Sequence, residues 1–442
     1  MKFPFQVVQY SGFSPACGGR GWSSSFQIIS GFVVILALSF SACHKSTTGG
    51  SPNVNNSKIQ LYESPNSETV AQMIQSNDGG YYIFGSSLEN HNGAKSKFLL
   101  IKTDANGVVT WRKTYTNATD IKGVAIIQKP DGTLLLCGNT IDAYNFDLPW
   151  FLTTDVQGNI KDSFTFTTAY SSGLTCVYPL ADGFYVACNS NYTVALWAVY
   201  PYLPACVLAK LDYAGNKIWK REMYDFSVAY TTLPYNHCSG ITASNDGSFV
   251  AAGLLASGIN SLGPSLIGFY NPKRFLFKIT GKGNVSKLNW AMFSNSSFSE
   301  SATLVRQAAD SCYYVIGSSN KYQISDQNLT VSKYNKNGDS VWTTYTSNIY
   351  SDTAVAMSAI TNNAFVVLAN NNNNGYKTRL IKFDLNGNIV WQHTYMEQFY
   401  TTGQSLLELK DGGYLIAGYS NSFGESLNTN RIFTLKVDAN GN

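Results

Sequence analysis

The sequence predicts an all-β protein, a seven-bladed β-propeller of four-stranded antiparallel blades. Three observations point there: two phrases that each recur about seven times, glycine-led tight turns between alternating apolar runs, and a composition rich in strand formers. Of 442 residues, 14% are aromatic and only 13% charged, a balance that suits strands better than surface helices. There are 37 Gly against 12 Pro, so the turns lean on glycine.

The first phrase is a turn followed by a strand. It reads NDGGYYIFGSS from Asn77 and PDGTLLLCGNT from Pro130, and returns from Ala181, Asn245, Asp310, Asn362 and Lys410. The second is strand, turn, strand. It reads FLLIKTDANGVVTWRKTY from Phe98, and recurs from Trp150, Val207, Phe275, Thr330, Leu380 and Thr434. D-G and A-N-G between apolar runs are hairpin turns in which glycine supplies φ > 0 at no steric cost. Another alternating segment precedes each first turn, such as TVAQMIQ from Thr69. Each unit is therefore a meander of four strands, A to D. One such sheet cannot bury both faces alone, whereas a ring of sheets can.

The chain stops just after the seventh C–D turn, at VDANGN, so the last unit lacks its D strand. The segment KIQLYES from Lys58 belongs to no unit of its own. It predicts a clasp in which an N-terminal strand closes the last blade, with Ile59 and Leu61 in the places held by Ile389 and Trp391 in NIVWQHTY.

These phrases resemble the repeats of bacterial β-propeller lipoproteins with D-G-G-Y and D-x-N-G-x-x-x-W signatures, over nearly all of residues 58–442. The second phrase is also similar to the repeats of quinoprotein-type propellers, and that resemblance implies a tryptophan packed between neighbouring blades. Trp111, Trp219, Trp342 and Trp391 each follow the turn glycine by four residues, while Asp162 and Lys287 replace it in blades two and four. The adjacent cysteine pair of quinone-cofactor enzymes is missing, so no cofactor is expected.

The N-terminus reads as an address. IISGFVVILALSF from Ile28 is an apolar run of signal-peptide length, followed by Ser41, Ala42 and Cys43. This resembles a lipoprotein signal peptide, which implies cleavage before Cys43 and its lipidation. Phe40 stands where such motifs usually carry leucine. A membrane-spanning helix needs about 20 apolar residues, more than this run has, and an ordinary secretory signal is the other competing reading. Residues 1–42 are thus expected to be a signal peptide, 43–57 a flexible tether, and 58–442 the propeller. The expected location is the bacterial cell envelope, lipid-anchored at the outer membrane.

Little in the chain points to catalysis. The net charge of +4 lacks a long basic run, which gives a nucleic-acid partner no electrostatic support. The four histidines are not at ligand spacing, and D-x-N-G supplies too few oxygens for a calcium loop, so no metal is expected. Cys137 and Cys188 align with Phe84 and Ala252 in a core slot, which reads as buried thiols, though Cys176 and Cys188 flank one hairpin turn and export would permit a disulfide. Four carboxylates, Glu68, Asp120, Glu300 and Asp352, each begin an A strand after Ser or Thr. They are expected to ring one mouth of the channel, either binding a cation or acting in acid–base chemistry, or else accepting hydrogen bonds from a neighbouring blade's backbone. The second role is favoured.

The A–B and C–D turns are short and share one face. The B–C and D–A connections share the other, where lengths vary, and function concentrates on such loops. The longest belong to blades three and four. They carry Tyr192, Trp197, Tyr200, Tyr202, Tyr230, Tyr235, His237, Phe269 and Tyr270, aromatics suited to a glycan or an envelope protein. The expectation is a monomeric, non-enzymatic binding or assembly module at an envelope membrane. A secreted carbohydrate-active enzyme with carboxylates on the variable face, and a scaffold of an outer-membrane assembly complex, are the alternatives.

Overall fold

The computed structural model describes residues 58–442 with internal interruptions, the longest at 191–205, 224–233, 262–266, 280–298 and 424–428. The predicted signal peptide and tether lie outside the described residues. The described strands of each blade run in chain order with antiparallel neighbours, A-B-C-D in six blades and A-B-C in blade four. Blade one comprises Ser67–Gln75, Tyr81–Leu88, Lys97–Thr103 and Val109–Tyr115. Blade two comprises Ile121–Gln128, Leu134–Ile141, Asp147–Thr154 and Ile160–Thr165, and blade three Ser172–Leu180, Gly183–Ser190, Cys206–Leu211 and Lys217–Met223. In blade four, Pro234–Ala243, Phe249–Ser257 and Lys273–Ile279 are described, with a small hairpin, Ile259–Ser261 and Ile267–Phe269, inserted between B and C. Its expected D strand falls in 280–298. Blades five and six begin at Glu300 and Asp352 and complete the four-strand pattern.

Blade seven is closed as the sequence predicts. Its own strands Thr401–Glu408, Tyr414–Ser420 and Arg431–Val437 are joined by Ile59–Tyr62, which pairs antiparallel with Arg431–Val437. The register differs from expectation by three residues. Tyr62 opposes Ile432, the place that Tyr395 takes opposite Thr378 in blade six. The reason is a recurrent anchor: Tyr62, Tyr115 and Tyr395 each donate a hydroxyl to the C–D turn glycine carbonyl of the next blade, at Gly107, Gly158 and Gly441 (3.2, 2.8 and 2.7 Å). That bond and the buried ring outweigh the apolar match of Ile59 and Leu61.

The turn chemistry explains why these phrases repeat. In the first C–D turn, Asp104 Oδ1 accepts the amides of Asn106 and Val108, both at 2.9 Å, and Gly107 sits at φ +84°. Asp155, Asp212, Asn335, Asp384 and Asp438 repeat the arrangement. The aspartate of D-x-N-G is thus a turn acceptor.

Tryptophans seal the blades from outside. A Cβ on Gly158, Gly387 or Gly441 would lie 2.9, 2.6 or 3.0 Å from Trp111, Trp342 or Trp391 of the preceding blade. Blade two, which carries Asp162 in the tryptophan position, places Phe164 against Gly215 at 2.6 Å instead. Among the described residues seven apolar clusters result, each shared by two adjacent blades, including the first and last. The A strands neighbour one another in turn around the ring.

Candidate functional site

The face formed by the B–C and D–A connections carries two overlapping depressions. One, of about 430 Å³, lies between blades one and two and is lined by Asp120, Lys122 and Asp147 among others. The other, of about 560 Å³, spreads across blades seven, one, two, three and four and includes Lys122, Thr175, His237, Gln404 and Tyr419. Thr69, Ser86, Lys122, Asn139 and Asp147 belong to both.

The walls are held by a device the sequence reading missed. Near the end of four B strands a Ser or Asn side chain reaches sideways to the A strand of the next blade. Asn139 bonds both backbone groups of Leu174 (2.7 and 3.0 Å), Asn189 those of Cys238 (both 2.9 Å), and Asn370 those of Gly403 (2.8 and 2.9 Å). Ser86 accepts the Gly123 amide at 3.0 Å in the same place. The signal was present as G-S, G-N, C-N and A-N at the end of the first phrase. The amides of Asn139 and Asn189 are occupied by backbone, so they shape the depression while other groups face its space. Lys122 is exposed, and among the described residues its side chain has no hydrogen-bond or ion-pair partner. Burial pushes the His237 imidazole below its ordinary range, and its Nδ1 lies 2.9 Å from Ser239 Oγ.

The four A-strand carboxylates take different roles. Glu68, Glu300 and Asp352 are buried and face arginines. Arg112 lies 2.5 Å from Glu68, Arg274 3.1 Å from Glu300, and Arg379 2.7 Å from Asp352. Ser64 also donates to Glu68, Tyr345 to Glu300, and Asn371 to Asp352. Burial pushes the Glu68 carboxyl up against the opposing pull of Arg112. Asp120 alone is exposed, and it accepts the Ser96 amide of blade one at 2.8 Å. The three buried acids are therefore parts of ion-pair networks within and between blades. The arginine partners lie on C and D strands far along the chain, where no local motif marks them.

Of the aromatic residues expected on the variable loops, His237 alone has a described side chain. Tyr235 lies on strand A of blade four and Phe269 on the inserted hairpin, while Tyr192, Trp197, Tyr200, Tyr202, Tyr230 and Tyr270 fall outside the described residues. The six described cysteines are all free thiols. Cys137 occupies the Phe84 slot, but Cys188 sits one position further on, opposite Leu174 as Gly85 is opposite Val70. Cys176 opposes Ala187, so Cys176 and Cys188 do not face each other. Among the described residues no three His, Cys, Asp or Glu side chains gather as metal ligands.

No family model matches the chain, and no curated protein matches it. Solved structures do resemble it in shape. A protein of unknown function from Dyadobacter fermentans is 11% identical, with 86% of this chain and 98% of that one covered and a TM-score of 0.47. An extracellular domain described as part of a one-component system of B. thetaiotaomicron is 11% identical over 87% of this chain and 43% of that one, with a TM-score of 0.48. Sqt1 from Chaetomium thermophilum is 7% identical over 86% and 99%, also at 0.48. At this level of similarity none of them carries an argument about function.

Proposed function

We propose that this protein is a non-enzymatic, membrane-anchored binding module of the bacterial envelope, and that its ligand, a glycan or an envelope protein, sits on the variable-loop face. One observation carries the reading: a depression of about 560 Å³ on that face, bordered by side chains of five blades, among them the exposed Lys122. Polar groups fixed on rigid strands beneath long loops suit recognition. Lipidation at Cys43 supplies the anchor, since acyl chains contribute about 0.8 kcal/mol per buried CH₂.

A second reading has its own observation. Asp120 and Asp147 both line the overlapping depression of about 430 Å³ between blades one and two, and two carboxylates are what glycoside hydrolysis requires. The two readings separate on a panel of soluble glycans offered to the full chain, with binding and released sugar both measured. Binding without turnover, abolished by Trp197→Ala with Tyr202→Ala and weakened by Lys122→Ala, supports the module. Turnover lost in Asp120→Asn or Asp147→Asn supports the enzyme. Binding unchanged by any of these variants refutes the site. Metabolic labelling with a fatty acid, lost on Cys43→Ala, tests the anchor.

A further inference from the structure

Three cysteines from two adjacent blades meet in one place. Cys176 lies on strand A of blade three, Cys206 on its strand C, and Cys238 on strand A of blade four. All three belong to the apolar cluster between these blades. In that cluster the Cys176 thiol neighbours that of Cys238, which also neighbours Cys206. The backbone around them is fixed. Asn189 holds both backbone groups of Cys238, and Thr175 Oγ1 donates to the Cys238 carbonyl at 3.0 Å.

We propose that Cys176 and Cys238 form a disulfide that ties blade three to blade four beneath the variable face. Cys176 is the partly exposed member, whereas Cys206 and Cys238 are 2% and 0% exposed, so an oxidant meets Cys176 first. The oxidant is a small-molecule disulfide such as oxidised glutathione. The Cys176 thiolate attacks it, forming a mixed disulfide and releasing one glutathione thiol. The Cys238 thiolate then attacks the Cys176 sulfur, forming the protein disulfide and releasing the second. Two protein thiols are oxidised and one glutathione disulfide is reduced, with both thiol protons passing to the released glutathiones. The neighbouring Cys238 and burial hold the Cys176 thiol above its ordinary range. Cys176 pulls Cys238 down, but Cys206 and burial together push it above its range. Thiolate is therefore scarce, and the exchange is slow at neutral pH and faster in base. The bond joins the residues next to Thr175 and His237, both in the wall of the depression. It does not depend on what that depression binds.

The test uses the full chain, purified with reductant, freed of it, and incubated with oxidised glutathione at about pH 8.5, near the free thiol pKa. Alkylation and unreduced peptide mapping then locate the bonds. The expected result is a Cys176–Cys238 peptide pair and a raised melting temperature that dithiothreitol reverses. The Cys176→Ser variant should keep its circular dichroism spectrum and lose the thermal shift. Free thiols at both positions, a lasting glutathione adduct on Cys176, or a Cys206–Cys238 pair would each overturn the proposal.

Discussion

Removing residues 58–63 probes the closure of the ring. Ile59–Tyr62 is the outer strand of blade seven, and without it Arg431–Val437 becomes an open sheet edge. Tyr62 is 3% exposed, packs in the cluster shared by blades seven and one, and bonds Gly107 O and Thr434 Oγ1, each at 3.2 Å. Truncating a large buried aromatic costs about 3–5 kcal/mol. Deleting the strand also removes its backbone ladder, including the bond from Lys436 N to Lys58 O at 2.9 Å, and the bond from Arg112 to Glu63 O at 2.8 Å. Each net hydrogen bond adds about 1 kcal/mol. A loss of at least about 5 kcal/mol follows, which lowers the melting temperature by roughly 5–10 °C in a domain of this size. Tyr62→Phe, which keeps the ring and removes the hydroxyl bonds, should cost only about 1–2 kcal/mol. Thermal melts followed by circular dichroism, with size-exclusion chromatography to detect edge-to-edge association, read both effects. A deletion that stays monomeric and melts with the parent would refute closure by this strand.

Other consequences follow from the seams and the ion pairs. Gly387→Ala places a Cβ at φ +85° and 2.6 Å from Trp342, and should destabilise by about 2–4 kcal/mol in urea titration. Arg379→Leu leaves Asp352 buried without its cation and should cost about 3–5 kcal/mol, part of which Asp352→Asn restores in the double variant. Burial and its bond to Glu300 push the Tyr345 phenol up to about 12. The unfolded phenol titrates near 10, so this contribution to stability is complete below about pH 10 and is lost as pH rises toward 12. Urea midpoints should therefore fall across that window, and less steeply in Tyr345→Phe.

Much of this architecture could be read from local chemistry. A turn such as Asp104 to Gly107 needs its aspartate and its glycine within four residues, so it leaves a mark wherever it recurs. Trp111, Trp342 and Trp391 follow at constant spacing for the same reason, because each covers a turn glycine of the next blade. The missing D strand was legible as a gap in that count. Its register was not, because Tyr62 is positioned by the Gly107 carbonyl of blade one, a contact between neighbouring blades. Cys188 was displaced by one slot because the Asp182-Gly183 turn is a residue shorter than Asp78-Gly79-Gly80, and the strand bulge shifts with it. The acids at the A-strand starts looked like a set in sequence. Their arginines lie on distant strands, so burial and pairing emerged only from the fold. The Asn139 and Asn189 clasps were visible as residues after a strand, but their role depends on the backbone of the adjacent blade.

The proposal that this face is the ligand seat is tested most directly by hydrogen–deuterium exchange on the full chain. The measurement compares the protein alone with the protein saturated by the strongest binder from a soluble glycan panel. The account predicts slowed exchange at residues 67–71, 120–124, 173–176 and 234–237, where the A strands border the depression, and in the connections at 191–205 and 224–233. Protection confined to the short turns of the opposite face, such as 76–80 and 104–108, would contradict it, as would a panel that yields no binder.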